Sequence, residues 1–154
     1  MKKIIYISIL LLGGLTISNA QKTQVKRADK EYNNLNYIDA IETYEKVANK
    51  GYKSVDMLEK LGNSYYFNAE YVDAAKWYAE LFVLQPETTD AEYYYRYSQS
   101  LKSTGDYKKA AEYMDKFYKV KGDDHRAKLF TTEKNYLAVI EANSGRFIIE
   151  NAGD

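Results

Sequence analysis

Cysteine is absent from the 154 residues. That excludes disulfides, thiolate metal sites and a lipidated N-terminal cysteine. One proline and eight glycines leave little material for long loops. Histidine occurs once, as His125 beside Asp123 and Asp124. One imidazole and two adjacent carboxylates fall short of a zinc ligand set, and the simpler reading is a helix start with solvated carboxylates at the positive end of the dipole. Covalent catalysis needs a nucleophile, a base and a third group that orients the base, and no such constellation is visible. The only adjacent glycines, Gly13 and Gly14, lie in the N-terminal leader and make no phosphate cradle. Neither charge sign dominates, with 22 basic and 22 acidic side chains. There is thus no basic field to attract nucleic acid and no like-charge tail. No cofactor, metal or nucleic-acid partner is expected, and no enzymatic activity.

What the chain does contain is tyrosine, 17 of them, in a repeating pattern. Ala40, Ala74 and Ala110 are separated by 34 and then 36 residues, as are Tyr37, Tyr71 and Tyr107, and Ala28, Gly62 and Ser98. A period of this size marks an array whose unit is a pair of helices. The first pair spans Gln21 to Lys50. Val25, Ala28, Tyr32 and Leu35 are expected to form one apolar face, with Tyr37, Ala40, Ile41, Tyr44 and Val47 on the returning helix. Gly51 stops that helix. The second pair spans Ser54 to Leu84, capped at its start by Ser54 and ended by Pro86. The third spans Glu87 to Val120, and Thr89 with Glu92 has capping-box spacing. Lys121 to Gly145 reads as a closing helical segment broken near Thr131 and Thr132. Such an end piece suits an array, which needs a terminal cap. The fold class is all-α, a right-handed superhelix of three helix pairs plus a C-terminal capping helix.

Met1 to Ala20 is set apart. Lys2 and Lys3 precede the apolar run Ile4 to Ile17, and Ser18, Asn19 and Ala20 supply small residues before a cleavage point. This is the pattern of a secretory signal peptide, with Gln21 as the new N-terminus. The apolar run is shorter than the ~20 residues that span a bilayer, so no transmembrane segment is expected after cleavage. The domain boundaries are therefore 1–20 signal peptide, 21–145 helical repeats and 146–154 a short extended tail. Phe147, Ile148 and Ile149 have strand propensity, but a lone strand is not stable. The tail either folds back or opens a further domain.

The repeat resembles the tetratricopeptide repeat (TPR). The second unit carries the match most fully, with Leu61, Gly62, Tyr65, Ala74, Tyr78 and Pro86 in phase. In the third unit Ser98 takes the small place and Gly122 stands where proline is usual. In the first unit Glu31 occupies the place of the inner-helix tyrosine. The resemblance covers roughly Thr23 to Gly122. With its leader, its cap and Ser144 to Phe147, the layout also resembles the N-terminal part of Bacteroidota outer-membrane-associated proteins of the OmpA family. There the repeats precede a β-propeller and an OmpA-like peptidoglycan-binding domain, and some members serve type IX secretion. That resemblance implies an exported protein of the periplasm, at or near the outer membrane, acting as a non-enzymatic adaptor for other envelope proteins. The alternative is an accessory region or spacer that positions a catalytic or peptidoglycan-binding domain on another chain or in a further C-terminal part. Only the adaptor role of the repeats carries over to these residues.

Ala40, Gly62, Tyr65, Tyr71, Ala74, Tyr78, Tyr107 and Ala110 are assigned to packing within the repeats. By phase, the concave wall draws on Asp29, Tyr32 and Asn33 in the first unit. The second contributes Glu59, Asn63, Tyr66 and Phe67, and the third Glu92, Tyr95, Arg96, Gln99 and Lys102. These residues are expected to form a groove for a partner peptide or helix, with aromatic side chains as anchors. A carboxylate clamp of the chaperone-tail kind is not expected, because Val25, Asp29 and Glu92 stand at places that would need other residues and only Arg96 fits.

Overall fold

The computed structural model describes residues 19–88 and 90–143, the side chains of 131–138 and 141 excepted. Most of the leader, the tail 146–154 and Thr89 lie outside the described residues. Among those described are seven helices and no strand. They are α1 through 19–33, α2 Tyr37–Ala48, α3 Val55–Phe67, α4 Tyr71–Leu84, α5 Glu92–Ser103, α6 Tyr107–Val120 and α7 His125–Asn143. The chain forms two compact units that meet in sequence at Pro86 and Glu87. In the first, α3 packs against α2 and α4; in the second, α6 packs against α5 and α7.

The caps follow local chemistry. The Ser54 hydroxyl accepts the Met57 N–H at 3.3 Å, and Asp106 accepts the Lys109 N–H at 3.1 Å. Each satisfies one of the donors that a helix start leaves orphaned. Gln85, ahead of Pro86, is extended (φ −135°, ψ 90°) and ends α4, as the clash with the proline ring demands. The expected capping box at α5 is not what Glu92 makes. Its backbone N–H is taken by Asp90 at 3.0 Å, and its carboxylate pairs with Arg126 instead.

The tight turns inside the three pairs are superimposable in hydrogen bonding. The Asn36 N–H reaches the Glu31 carbonyl, Glu70 reaches Tyr65 and Asp106 reaches Leu101, at 2.9 to 3.1 Å. The preceding residues, Leu35, Ala69 and Gly105, have φ of 64°, 61° and 80°. This is a Schellman ending, which places one residue in the left-handed region. Leu35 therefore does not continue the apolar face of α1, as its spacing predicts. It sits in the turn and is 70% exposed.

The core of each pair is built from small residues facing large ones. Ala40, Ala74 and Ala110 are fully buried, as are Ala28 and Ser98. A Cβ added to Gly62 would lie 2.7 Å from Cε1 of Tyr78, so the helix approach there tolerates only glycine. Tyr65 and Tyr78 are buried in the same pair. Tyr71 and Tyr107 are not core residues in this sense. Each opens the second helix of its pair and is half-buried at best, across the end of the hairpin.

α7 begins where the acidic pair predicts, with Asp124 accepting the Arg126 N–H at 2.8 Å. It then runs unbroken past Thr131 and Thr132. Two β-branched threonines lower helix propensity by only about half a kcal/mol each, too little to interrupt a helix. Phe130 and Ala127 are buried, whereas Leu129 faces out.

Candidate functional site

The first helix of each pair carries the residues assigned to the groove. In the first unit these lie on α1 and α3. Asp29 is engaged within the fold, accepting the Tyr44 hydroxyl at 2.7 Å and the Lys60 ammonium at 2.9 Å. Lys60 also reaches Asp56 at 2.9 Å. Burial alone would lower the Lys60 pKa, but the bonds to Asp29 and Asp56 outweigh it and the net displacement is upward. The Tyr44 hydroxyl is held well above the usual phenol range, first by burial and then by donation to Asp29. Tyr65 is raised for the same reasons, with Glu45 as its acceptor at 2.8 Å.

Asn63 does not belong to an open face. It is 4% exposed, its Nδ2 donates to the Tyr32 hydroxyl at 3.1 Å, and its Oδ1 accepts the Tyr78 hydroxyl at 2.7 Å. A buried amide must be satisfied, and here that ties α3 to α1 and α4 at once. The bond repeats the one between Tyr44 and Asp29 in the preceding pair, 34 residues earlier at both ends. At the corresponding places in the third pair stand Gln99 and Met114. A thioether has no hydroxyl to donate, so the clasp is not reproduced, and Gln99 is half-exposed on α5. The signal for this clasp was present in the sequence, as a polar residue just after the small one and a tyrosine 15 residues later.

The remaining residues of the first unit form an aromatic row. Tyr32 meets Tyr37 edge-on at 5.7 Å, Tyr37 meets Phe67 at 5.3 Å, Phe67 meets Tyr66 at 5.9 Å, and Tyr66 meets Tyr71 at 5.5 Å. Such offset and T-shaped pairs are the favoured arrangements. Phe67 is 44% exposed, and Tyr66 and Glu59 are half-buried.

In the second unit, Tyr95, Arg96, Gln99 and Lys102 are all half-buried on α5. Glu92 is engaged with the closing helix. Both of its oxygens accept from the Arg126 fork, at 2.6 and 2.9 Å, while Asp124 takes a second set at 2.8 and 3.0 Å. The guanidinium also lies 4.4 Å from the Tyr95 ring and 5.0 Å from Phe117. The bonds from Arg126 hold the Asp124 carboxyl down at about 2 and pull Glu92 below the usual glutamate range. Sequence reasoning missed this clamp. Arg126 lies 34 residues from Glu92 in a segment outside the repeat pattern, where phase gives no warning.

The Tyr113 phenol is pushed up to about 12, chiefly by burial, between Tyr97 at 4.4 Å and Tyr94 at 6.1 Å. Trp77 is buried, and its indole N–H has no hydrogen-bond acceptor among the described residues. His125 is exposed. Among the described residues no group of carboxylates and histidine is placed to hold a metal ion, and no helix is long and apolar enough to cross a membrane.

No protein-family model and no curated protein matches the sequence. Solved structures do. The TPR domain of Sgt2 from Aspergillus fumigatus matches with a TM-score of 0.55 at 18% identity, covering 88% of this chain and 89% of that one. The MamA protein matches with a TM-score of 0.48 at 17% identity, covering 88% of this chain and all of that one. The likeness to the Sgt2 domain shows the fold, that of tetratricopeptide-repeat domains.

Proposed function

We propose that the chain is a non-enzymatic protein-interaction module that presents the exposed faces of its first helices to a partner peptide or helix. The aromatic row of the first unit carries this reading. Tyr32, Tyr37, Phe67, Tyr66 and Tyr71 pack ring against ring in edge-on and tilted pairs, so their rings are held in place before any partner arrives. Rigid aromatic surface loses little side-chain entropy on binding, which is why such residues dominate interface energies. Half-buried Glu59 in this unit supplies polar chemistry beside the rings, and Arg96, Gln99 and Lys102 give the other unit a polar face. The TPR fold supports the same reading, because repeat arrays of this kind are built to offer extended surface.

The export-type leader at 1–20 and the resemblance to envelope proteins favour a partner in the periplasm, near the outer membrane. The test is a pull-down from envelope extract with the exported form and its Tyr66→Ala/Phe67→Ala variant. Loss of a specific partner with helicity and melting cooperativity retained is the expected result. Capture unchanged in a folded variant contradicts the reading.

A further inference from the structure

Leu35 carries two costs. Its backbone is left-handed, at φ 64°, where a non-glycine residue loses about 1–2 kcal/mol. Its side chain is also 70% exposed. The third pair solves the same turn with Gly105 and the second with the small Ala69, so the turn itself does not require leucine. A bulky apolar side chain held out to solvent where the other pairs place a small residue or none is a pointer to a task.

The surroundings say what that task is. Ile38, the second residue of α2, is 63% exposed. Leu35 and Ile38, with Asn36, Tyr37, Asp39 and Asn68, line an open cavity of about 390 Å³ at the turn edge of the first unit. Its floor is firm, because the Tyr37 ring is packed between Tyr32 and Phe67. Its rim is acidic. Asp39 lines it directly, Glu31 accepts the Asn36 amide at 3.0 Å, and Glu70 accepts the Asn68 amide. None of the described lining residues is basic, although Arg27 and Lys46 line the adjoining surface with Glu31 and Asp39, where Lys46 is paired with Glu42. One carboxylate at the apolar seat and two behind its amides outnumber the neighbouring Arg27, which favours a cationic apolar ligand and disfavours an anionic lipid surface.

We infer that this turn-edge cavity docks a basic, apolar segment of a protein partner: a bulky side chain seated against Leu35, Ile38 and Tyr37, with a lysine or arginine reaching Asp39, Glu31 and Glu70. The site lies at the end of the hairpin and shares Tyr37 with the aromatic row, but its anchors Leu35, Ile38 and Asp39 lie outside that row. It stands or falls without the first-helix faces invoked above.

The substitution Leu35→Gly separates docking from folding, since it removes the anchor while relieving the backbone. A displayed library of random short peptides is panned against the wild-type chain, and enriched peptides are titrated against wild type, Leu35→Gly and Asp39→Asn. The expected result is enrichment of sequences that place Lys or Arg beside Leu, Ile, Phe or Met. Their affinity falls by about ten-fold or more in Leu35→Gly, falls again with added salt and with Asp39→Asn, and does so while the Leu35→Gly chain melts no lower than wild type. Enriched peptides that are acidic, or that bind Leu35→Gly as tightly as wild type, overturn the inference, as does the absence of enrichment. So does a concentration-dependent dimer in sedimentation that Leu35→Gly abolishes, which assigns the cavity to a second copy. Leu35-dependent binding to phosphatidylglycerol vesicles overturns it in favour of lipid.

Discussion

At the scale of single residues, the fold turns on a few positions where one atom decides the outcome. Gly62 is the sharpest. A methyl group there would gain about 1 kcal/mol of helix propensity, yet it would sit 2.7 Å from the Tyr78 ring. That ring cannot retreat, because Tyr78 is fully buried and its hydroxyl is held by Asn63. Overpacking of this kind costs about 1–3 kcal/mol. Gly62→Ala is therefore expected to lower stability by up to roughly 2 kcal/mol once the propensity gain is set against the clash. The single tryptophan, Trp77, is buried on α4 in the same pair and reports the loss by fluorescence during denaturation in urea. Ala69 makes the opposite case. Its left-handed backbone costs more than glycine's extra unfolded-state entropy, so Ala69→Gly should raise stability by about 0.5–1 kcal/mol. A lower urea midpoint for Ala69→Gly would mean that the turn is not in the left-handed region.

At the scale of elements, the closing helix α7 packs against α6 and is joined to α5 by charge. Asp124 and Glu92 are both depressed by Arg126. A carboxylate whose folded pKa lies below its unfolded value of roughly 4 adds stability above that value. The contribution fades as the pH falls toward the folded pKa, about 2 for Asp124. Acidification through that window should lower the melting temperature of the wild type more than that of Arg126→Ala, in which the two carboxylates return toward ordinary values. Circular dichroism melts at a series of acidic pH values measure the difference, and parallel curves for the two proteins would count against the clamp. Glu87 is also depressed, by the Tyr94 hydroxyl and by Lys116, and keeps its share in both proteins.

Elements also show how much the sequence disclosed. Helix starts and stops that depend on one side chain or one backbone angle, such as Ser54, Gly51 and Pro86, could be read directly because the chemistry is local. Leu35 could not be placed from spacing, since an apolar residue at helical phase looks the same whether the helix continues or ends in a Schellman turn. The unbroken course of α7 was hidden for a related reason: propensity marks Thr131 and Thr132 as weak, and tertiary packing outvotes weak propensity. Asn63 looked like a surface polar residue because its partners, Tyr32 and Tyr78, lie on other helices.

At the scale of the molecule, the period of 34 and 36 residues led to the all-helical, paired-helix fold because each pair repeats one packing solution. The repeating clasps of Asp29 with Tyr44 and Asn63 with Tyr78 show how faithfully it is copied, and the Gln99 and Met114 positions show where the copy ends. A partner surface is less legible. Phase says which side of a helix a residue occupies, but not whether a neighbour such as Arg126 has already engaged it.

The most direct test of the whole account is site-specific photo-crosslinking in the native cell, with a benzophenone side chain placed at Glu59 or Gln99 on first helices, or at Val83 or Lys108 on second helices. The account predicts protein adducts from Glu59 and Gln99 and none from Val83 and Lys108. Adducts formed from the second helices, or equally from all four positions, would contradict it.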